Sequence, residues 1–368
     1  MLVTTFPAKG HFHPVAPLAL AMQRAGHDLR VATHPSFGRW VEACGLTVLP
    51  AGRSEAEVVA ATAALPAHER SIREFTTEWV PAFARDVLGS VKDWHPDLVV
   101  NEEGEHGGPL LAALLDVPSV THSWPAPVRP PEVRAALADA LKDVWRAFGH
   151  NPPAQEWADH YLDCCPPPLQ TSDIETVTGV ATVRPSLFDG PPLPPAPWLE
   201  DVVAPVVFVT LGTVPLFARA EVLRFIVDAI RSVAGTVIVA TGPLPETVVP
   251  RGPQVHVAPY VPLSAVLPLT DLVVCHGGAS TSVACLLAGV PQLVIAQGAP
   301  SQHRVAAAIA KAGLGIVFSA VPLGPDALAA AASKLLSDSD VTDRIRAALA
   351  TLDRLPPPEE VADFLTGL

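Results

Sequence analysis

Short apolar, β-prone runs alternate with helical stretches twice along this chain, and a proline-dense segment parts the two series. Strands joined through helices at this spacing form right-handed βαβ units, which build parallel sheets covered by helices on both faces. The first series predicts strands at 2–6, 29–33, 46–49, 97–100 and 117–121. Residues 7–13 read as an irregular loop. Pro14 suits a first helical turn, and that helix runs through Leu18 and Met22 to a stop at Gly26. Helical stretches follow at 72–91, 109–115 and 130–165. The run from Gly190 to Pro197 carries five prolines and can hold neither a helix nor an interior strand. The second series predicts strands at 206–211, 236–240, 271–275, 292–296 and 315–318, with two helices closing the chain. The expected fold is α/β: two doubly wound parallel-sheet domains, 1–190 and 206–368, joined by a proline-rich linker at 191–205. The last helix is free to pack back on the first domain. Ligands of such sheets bind at the strands' carboxyl ends, here in the cleft between the domains.

Composition bounds the partners. With 368 residues, 49% of them hydrophobic, each domain can bury its own core. The longest apolar run, Val283 to Ala296, is broken by Gly289 and Pro291, so no membrane span is expected, and with no recognisable leader the expected location is the cytoplasm. The net charge of −13, with no clustered Lys or Arg, argues against nucleic acid as a partner. It leaves room for one small phosphorylated ligand, since a helix N-terminus holds a diphosphate without many cations. The five cysteines form no CxxC pair, so neither a disulfide framework nor a zinc site is expected.

The segment Asp271-Leu-Val-Val-Cys275-His276-Gly277-Gly278-Ala279-Ser280-Thr281 runs from a strand through a Gly-Gly turn into a helix start. Glycines permit close backbone approach, and the first-turn N–H groups, the helix dipole and two hydroxyls make an anion site beside His276. The same residues also suit a tight turn and a capped helix. A second loop, Thr210-Leu211-Gly212-Thr213, ends another strand of the same sheet and brings a glycine and hydroxyls to the same edge.

These segments carry a resemblance. His276-Gly-Gly-Ala-Ser-Thr281, followed by Leu286-Leu-Ala-Gly-Val-Pro291-Gln292, resembles the donor signature of nucleotide-sugar glycosyltransferases of the GT-B fold, in which two Rossmann-like domains face each other across a cleft. The bacterial natural-product branch, of macrolide and antibiotic type, is the most similar, and the likeness runs over nearly the whole chain. It implies an enzyme that transfers a sugar from a dTDP- or UDP-linked donor to a small apolar acceptor, a polyketide or aromatic aglycone, with inversion. It implies no cofactor and no metal. By the same resemblance His276, Gly277, Gly278, Ala279, Ser280 and Thr281 meet the diphosphate together with Gly212 and Thr213. Tyr260 and Val261 meet the nucleobase, and Ser301 and Gln302 stand where the family has an Asp-Gln pair. Three positions depart from the pattern: Ser280 stands where the family commonly has glycine, Ala284 replaces a glutamate, and Ser301 replaces the sugar-binding aspartate. Loss of that carboxylate favours a donor with fewer hydroxyls, such as a deoxysugar.

The reaction needs a base for an acceptor hydroxyl, and a neutral imidazole suits that work. His11 lies in the loop after the first strand, in Gly10-His11-Phe12-His13-Pro14, which resembles the family's GHxxP motif and so implies His11 as the base. A carboxylate would orient its far nitrogen. Glu102, Glu103 and Glu105 follow the strand at 97–100; the resemblance aligns the family's acid with Glu102, with Glu103 second. His13, Trp79, His122 and Trp124 are the candidate acceptor contacts, among first-domain aromatics that include Phe75 and Trp157. Asp338-Ser339-Asp340 matches a DxD metal pattern but sits between the last helices and reads as a helix cap. A Rossmann dehydrogenase would want GxGxxG after the first strand, and a serine hydrolase GxSxG; neither is present. A non-catalytic glycosyltransferase-like partner of a biosynthetic enzyme stays open on the strength of Ala284 and Ser301. The oligomeric state is also open, with a homodimer among the options.

Overall fold

In the computed structural model the described residues are 1–367, with 93, 154–156, 159, 195 and 322–323 left aside. The first half contains β1 (Leu2–Thr4), α1 (Lys9–Arg24), β2 (Arg30–Thr33), α2 (Pro35–Ala43), β3 (Thr47–Pro50), α3 (Glu55–Thr62) and α4 (Ala67–Arg73). A π-helical turn, Glu74–Glu78, leads into α5 (Val80–Ser90), followed by β4 (Val99–Glu102), α6 (Gly107–Leu115), β5 (Ser119–His122), α7 (Pro131–Ala147), β6 (His160–Asp163) and β7 (Val180–Thr182). All seven strands pair in parallel, in the order β3-β2-β1-β4-β5-β6-β7. One face of this sheet is buried under α1 and α2, around Phe12, Leu18, Met22 and Phe37. The other is buried under α5, α6 and α7, around Trp79, Phe83, Leu110 and Leu141.

The second half contains β8 (Val206–Thr210), α8 (Ala220–Ile230), β9 (Thr236–Ala240), β10 (Val255–Ala258), α9 (Leu263–Val266), β11 (Leu272–Cys275), α10 (Ala279–Leu287), β12 (Gln292–Ile295), α11 (Pro300–Ala312) and β13 (Gly315–Phe318). It ends in α12 (Pro325–Ser337), α13 (Ser339–Leu352) and α14 (Pro358–Leu365). Its six strands are also all parallel, ordered β10-β9-β8-β11-β12-β13. β8 and β11 are buried at every residue, as continuous Val-rich runs covered on both faces must be. Among the described residues no helix is long and apolar enough to cross a membrane.

Several expectations need correction. Residues 7–13 are not a loop: α1 begins at Lys9, so His11 and His13 lie in its first two turns and Pro14 is internal. An interior proline costs about 3 kcal/mol. Burial of Phe12, Val15, Leu18 and Met22 along one stripe outweighs it, at ~1.5–3 kcal/mol for each large side chain. The stretch 130–165 is not helical throughout: α7 ends at Ala147 and β6 follows within it, with the edge strand β7 beyond, at Val180–Thr182. β10 was also not foreseen, and three helices rather than two close the chain. The last of them crosses over: Val361, Ala362 and Leu365 join the first domain's core beneath α1.

Candidate active site

β1 and β4 are neighbours in register, Thr4 beside Asn101, so the segments leaving their carboxyl ends lie side by side. One becomes α1 and carries His11 in its first turn. The other ends β4 with Glu102, which is fully buried. Nδ1 of His11 and Oε1 of Glu102 are 2.7 Å apart. Glu102 takes three further donors: the Phe6 N–H on Oε1 at 3.3 Å, and the Gly104 N–H and Trp124 indole N–H on Oε2, both at 2.7 Å. Burial pushes this carboxyl up, but the facing imidazole and these hydrogen bonds outweigh it and hold Glu102 below the usual carboxylate range. Because Glu102 only accepts, the proton of a neutral His11 belongs on Nδ1, which leaves the Nε2 lone pair free.

The rings of Phe6, Phe75 and Trp124 surround His11 with centroids at 5.1, 5.3 and 4.9 Å. A Cβ on Gly104 would stand 2.4 Å from the Trp124 ring and 2.8 Å from Cε1 of His11, so only glycine fits this turn. Glu103 faces elsewhere, accepting from the Trp124 backbone N–H and pairing with Arg129 at 3.5 Å.

Of the four candidate acceptor contacts, Trp124 flanks His11. Trp79 is fully buried and stacked on Phe83, its N–H donated to Glu105. His122 is buried beside Glu102 across the β4–β5 register, with Nδ1 at 2.8 Å from the Ser123 carbonyl, and burial pushes it down to about 4. His13 accepts from the Trp40 N–H at 3.3 Å; burial and the nearby Lys9 push it down to about 3. Trp79 and His122 are thus enclosed by packing, whereas His13 is half-buried. Phe75, placed against His11 by the π-helical turn, is the aromatic that a regular helical period at 72–91 would not single out.

At the other lobe, His276 follows the end of β11 at Cys275, Gly277 turns with φ of 82°, and α10 begins at Ala279. No side chain caps this helix; Ser280 and Thr281 sit half-buried in its first turn. Gly212, also at positive φ, and Gly278 both press on the His276 ring: a Cβ on either would come within 2.7 Å of it. Burial pushes His276 down to about 4, so it is a neutral hydrogen-bonding group, and its buried Nδ1 has no partner among the described residues. Both amide atoms of Gln302 and both of Gln297 are likewise buried without partners. Gln297 was missed from sequence; its place just past the carboxyl end of β12 was the available signal. Phe217 lies between this group's parts, stacked 6.3 Å from His276 and against Gly298. Thr213 is exposed after Gly212, and Ser301 is half-buried near the start of α11. Ala284 belongs to the core of the second domain.

Tyr260 and Val261 lie at the lobe junction. The Tyr260 hydroxyl donates to the Asp189 carbonyl at 2.7 Å, its ring meets the edge of Trp40, and Lys9 Nζ stands 4.1 Å over it. Tyr260 thus braces the two lobes, with one ring face already covered; Val261 is buried. Asp338 accepts from the Asp340 and Val341 N–H groups as the cap of α13. Among the described residues no three His, Cys, Asp or Glu side chains group as a metal site would require.

Comparison with known proteins agrees with this architecture. Residues 67–212 match the family described as erythromycin biosynthesis protein CIII-like, N-terminal domain, and residues 224–368 match its C-terminal domain. The L-demethylnoviosyl transferase of Streptomyces niveus is 31% identical over 391 residues, covering 100% of this chain and 97% of that one. The erythronolide mycarosyltransferase of Saccharopolyspora erythraea is 26% identical, covering 100% and 98%. The solved structure of glycosyltransferase SsfS6 from Streptomyces sp. SF2575, complexed with thymidine diphosphate, superposes with a TM-score of 0.82 at 25% identity, covering 100% of this chain and 99% of that one. Two parallel-sheet lobes, the paired His11 and Glu102, the bare α10 start and these matches assign the chain to the erythromycin biosynthesis protein CIII-like family of GT-B glycosyltransferases.

Proposed function

We propose that this glycosyltransferase moves a deoxysugar from a dTDP- or UDP-linked donor onto a hydroxyl of a small apolar natural product, with inversion at the anomeric carbon. The observation that carries the reading is the 2.7 Å contact between His11 Nδ1 and Glu102. It leaves Nε2 of a neutral imidazole as a base, walled by Phe6, Phe75 and Trp124, which suit an apolar acceptor. Nε2 removes the acceptor proton as its oxygen attacks the anomeric carbon, and Glu102 stabilises the imidazolium that forms. The sugar–phosphate bond breaks on the opposite face. The charge left on the diphosphate meets the first-turn N–H groups of α10, the hydroxyls of Ser280 and Thr281, and a proton of neutral His276. Gln302 and Gln297, with Ser301 in place of a carboxylate, offer neutral hydrogen-bonding groups to the sugar. The donor class is supported by the thymidine diphosphate named with SsfS6 and by the sugar names of the two relatives.

The test is transfer from dTDP- and UDP-deoxysugars to a panel of polyketide and aromatic aglycones, with product anomers assigned by NMR. His11→Ala should lower kcat roughly 100- to 10,000-fold while donor KM stays near wild type. Equal turnover in the two proteins, or retention at the anomeric centre, would overturn the mechanism.

A further inference from the structure

Glu105 is a second fully buried carboxylate, three residues past Glu102, and the transfer chemistry above makes no use of it. Its Oε1 accepts from the Trp79 indole N–H at 3.0 Å and the Gly107 N–H at 2.7 Å. Its Oε2 accepts from the Gly108 N–H at 2.8 Å and from the Thr4 hydroxyl. The four donors come from the end of β1, the residue that opens α5, and the first turn of α6. A cap for α6 would need only the two glycine N–H groups. The convergence of Thr4 and Trp79 on the same carboxylate ties the turn after β4 to the strand that leads into α1.

That turn is short and held at both ends. The Glu105 N–H donates to the Glu102 carbonyl at 2.9 Å, and the Asn101 amide donates to the carbonyls of both glutamates at 3.1 Å. Between them lies Gly104, whose N–H binds Oε2 of Glu102 and where a Cβ would collide with the rings of His11 and Trp124. A shift of Glu105 therefore moves a residue that both hydrogen-bonds Glu102 and abuts the imidazole. Trp79, in turn, packs on Phe6, which packs on His11 and Phe75.

We propose that Glu105 is a positioning residue for the His11–Glu102 pair: it fixes the 102–105 turn so that Glu102 meets Nδ1 of His11. The inference rests on the reading of His11 as the base. A carboxamide cannot replace Glu105 quietly, because either orientation of Gln turns its NH2 toward a backbone N–H, at Gly107 or at Gly108.

The test uses Glu105→Gln and Glu105→Asp in the full-length enzyme, with two readouts: steady-state transfer, and the Nδ1 proton of His11 in 15N-histidine-labelled protein, assigned by its loss in His11→Ala. Glu105→Gln should lower kcat roughly 10- to 100-fold with donor KM nearly unchanged, and should shift or broaden that proton. Glu105→Asp, which keeps the charge, should recover part of both. A cap without a positioning role would lower the unfolding temperature but leave kcat per folded molecule and the proton signal as in wild type, and that result would overturn the proposal. If Glu105→Gln does not fold, Thr4→Val and Trp79→Phe each remove one donor to the same carboxylate; an unmoved signal in both would overturn it equally. Full turnover in His11→Ala would sink the base assignment alone, since the proton signal reports the hold on the pair without reference to catalysis.

Discussion

A carboxylate sealed from water persists as an ion where donors take up its lone pairs, and Glu102 has four. Hydrogen bonds to a charged group contribute roughly 1.5–3 kcal/mol each, enough together to outweigh several kcal/mol of desolvation. Glu102→Gln keeps the shape but turns one acceptor oxygen into an NH2; with the remaining oxygen on the Gly104 and Trp124 N–H groups, that NH2 faces Nδ1 of His11 and favours the wrong tautomer. Its kcat should fall about 100- to 10,000-fold with nucleotide affinity unchanged by calorimetry. Three desolvated histidines act on stability instead. His13, His122 and His276 are pushed to about 3, 4 and 4, so between those values and about 6.5 the unfolded chain binds more protons than the folded one. Their contribution is whole above about pH 6.5 and is lost as pH falls toward 4. Burial pushes Glu105 up to about 7, which works the other way: its contribution is whole below its unfolded value and is lost as pH rises through 7. Burial also pushes Glu55, Glu74 and Asp163 up, in the same sense as Glu105; the three histidines carry large shifts the other way, so denaturant unfolding should show stability rising from pH 4 to 6.5. His122→Asn should flatten that slope, by about 3 kcal/mol over the window at most; an unchanged slope would place the protonation elsewhere.

At the scale of elements, the start of α10 matters because no side chain among the described residues caps it. A Cβ at position 278 would lie 2.6 Å from Nε2 of His276. Gly278→Ala should therefore displace the imidazole and weaken nucleoside diphosphate binding roughly tenfold, read by titration calorimetry, while leaving the His11–Glu102 pair intact. Much of this element was legible in the sequence, since an apolar strand, two glycines and a hydroxyl-bearing helix start follow one another without interruption. The start of α1 was not: Pro14 marks a first turn by local preference, and burial of Phe12 and Val15 carries the helix five residues further back. β6 and β7 were hidden by length, being four and three residues next to a long amphipathic helix, and β7 is exposed throughout. Place past a strand offered Glu102, Glu103 and Glu105 alike, and the family resemblance singled out Glu102; its partners Phe6, Gly104 and Trp124 are set by strand order and turn geometry, which no local pattern encodes.

For the whole molecule, contacts tie the two lobes together in the middle of the chain, at Asp189, and at its ends, where α14 meets α1. Besides accepting from Tyr260, Asp189 takes the N–H groups of Leu263 and Ser264 on its carboxylate, both at 2.8 Å. α14 lies on α1, where burial of Val361, Ala362 and Leu365 outweighs the exposed Arg24–Glu359 pair, worth at most about 1 kcal/mol. Tyr260 takes part in this bracing, which a motif alone does not reveal because it depends on how the lobes approach. Asp189→Ala should loosen the junction and raise the KM for donor and acceptor together, with little change in the first domain's own stability. The account as a whole requires that a pyrophosphate at one lobe and an imidazole at the other share a single cleft. A crystal structure with bound dTDP tests this directly. The expected result is phosphate oxygens within hydrogen-bond distance of the N–H groups at Ala279 to Thr281 and of the His276 ring, with Nε2 of His11 facing the same space. A diphosphate seated away from that helix start, or a His11 turned from it, would contradict the account.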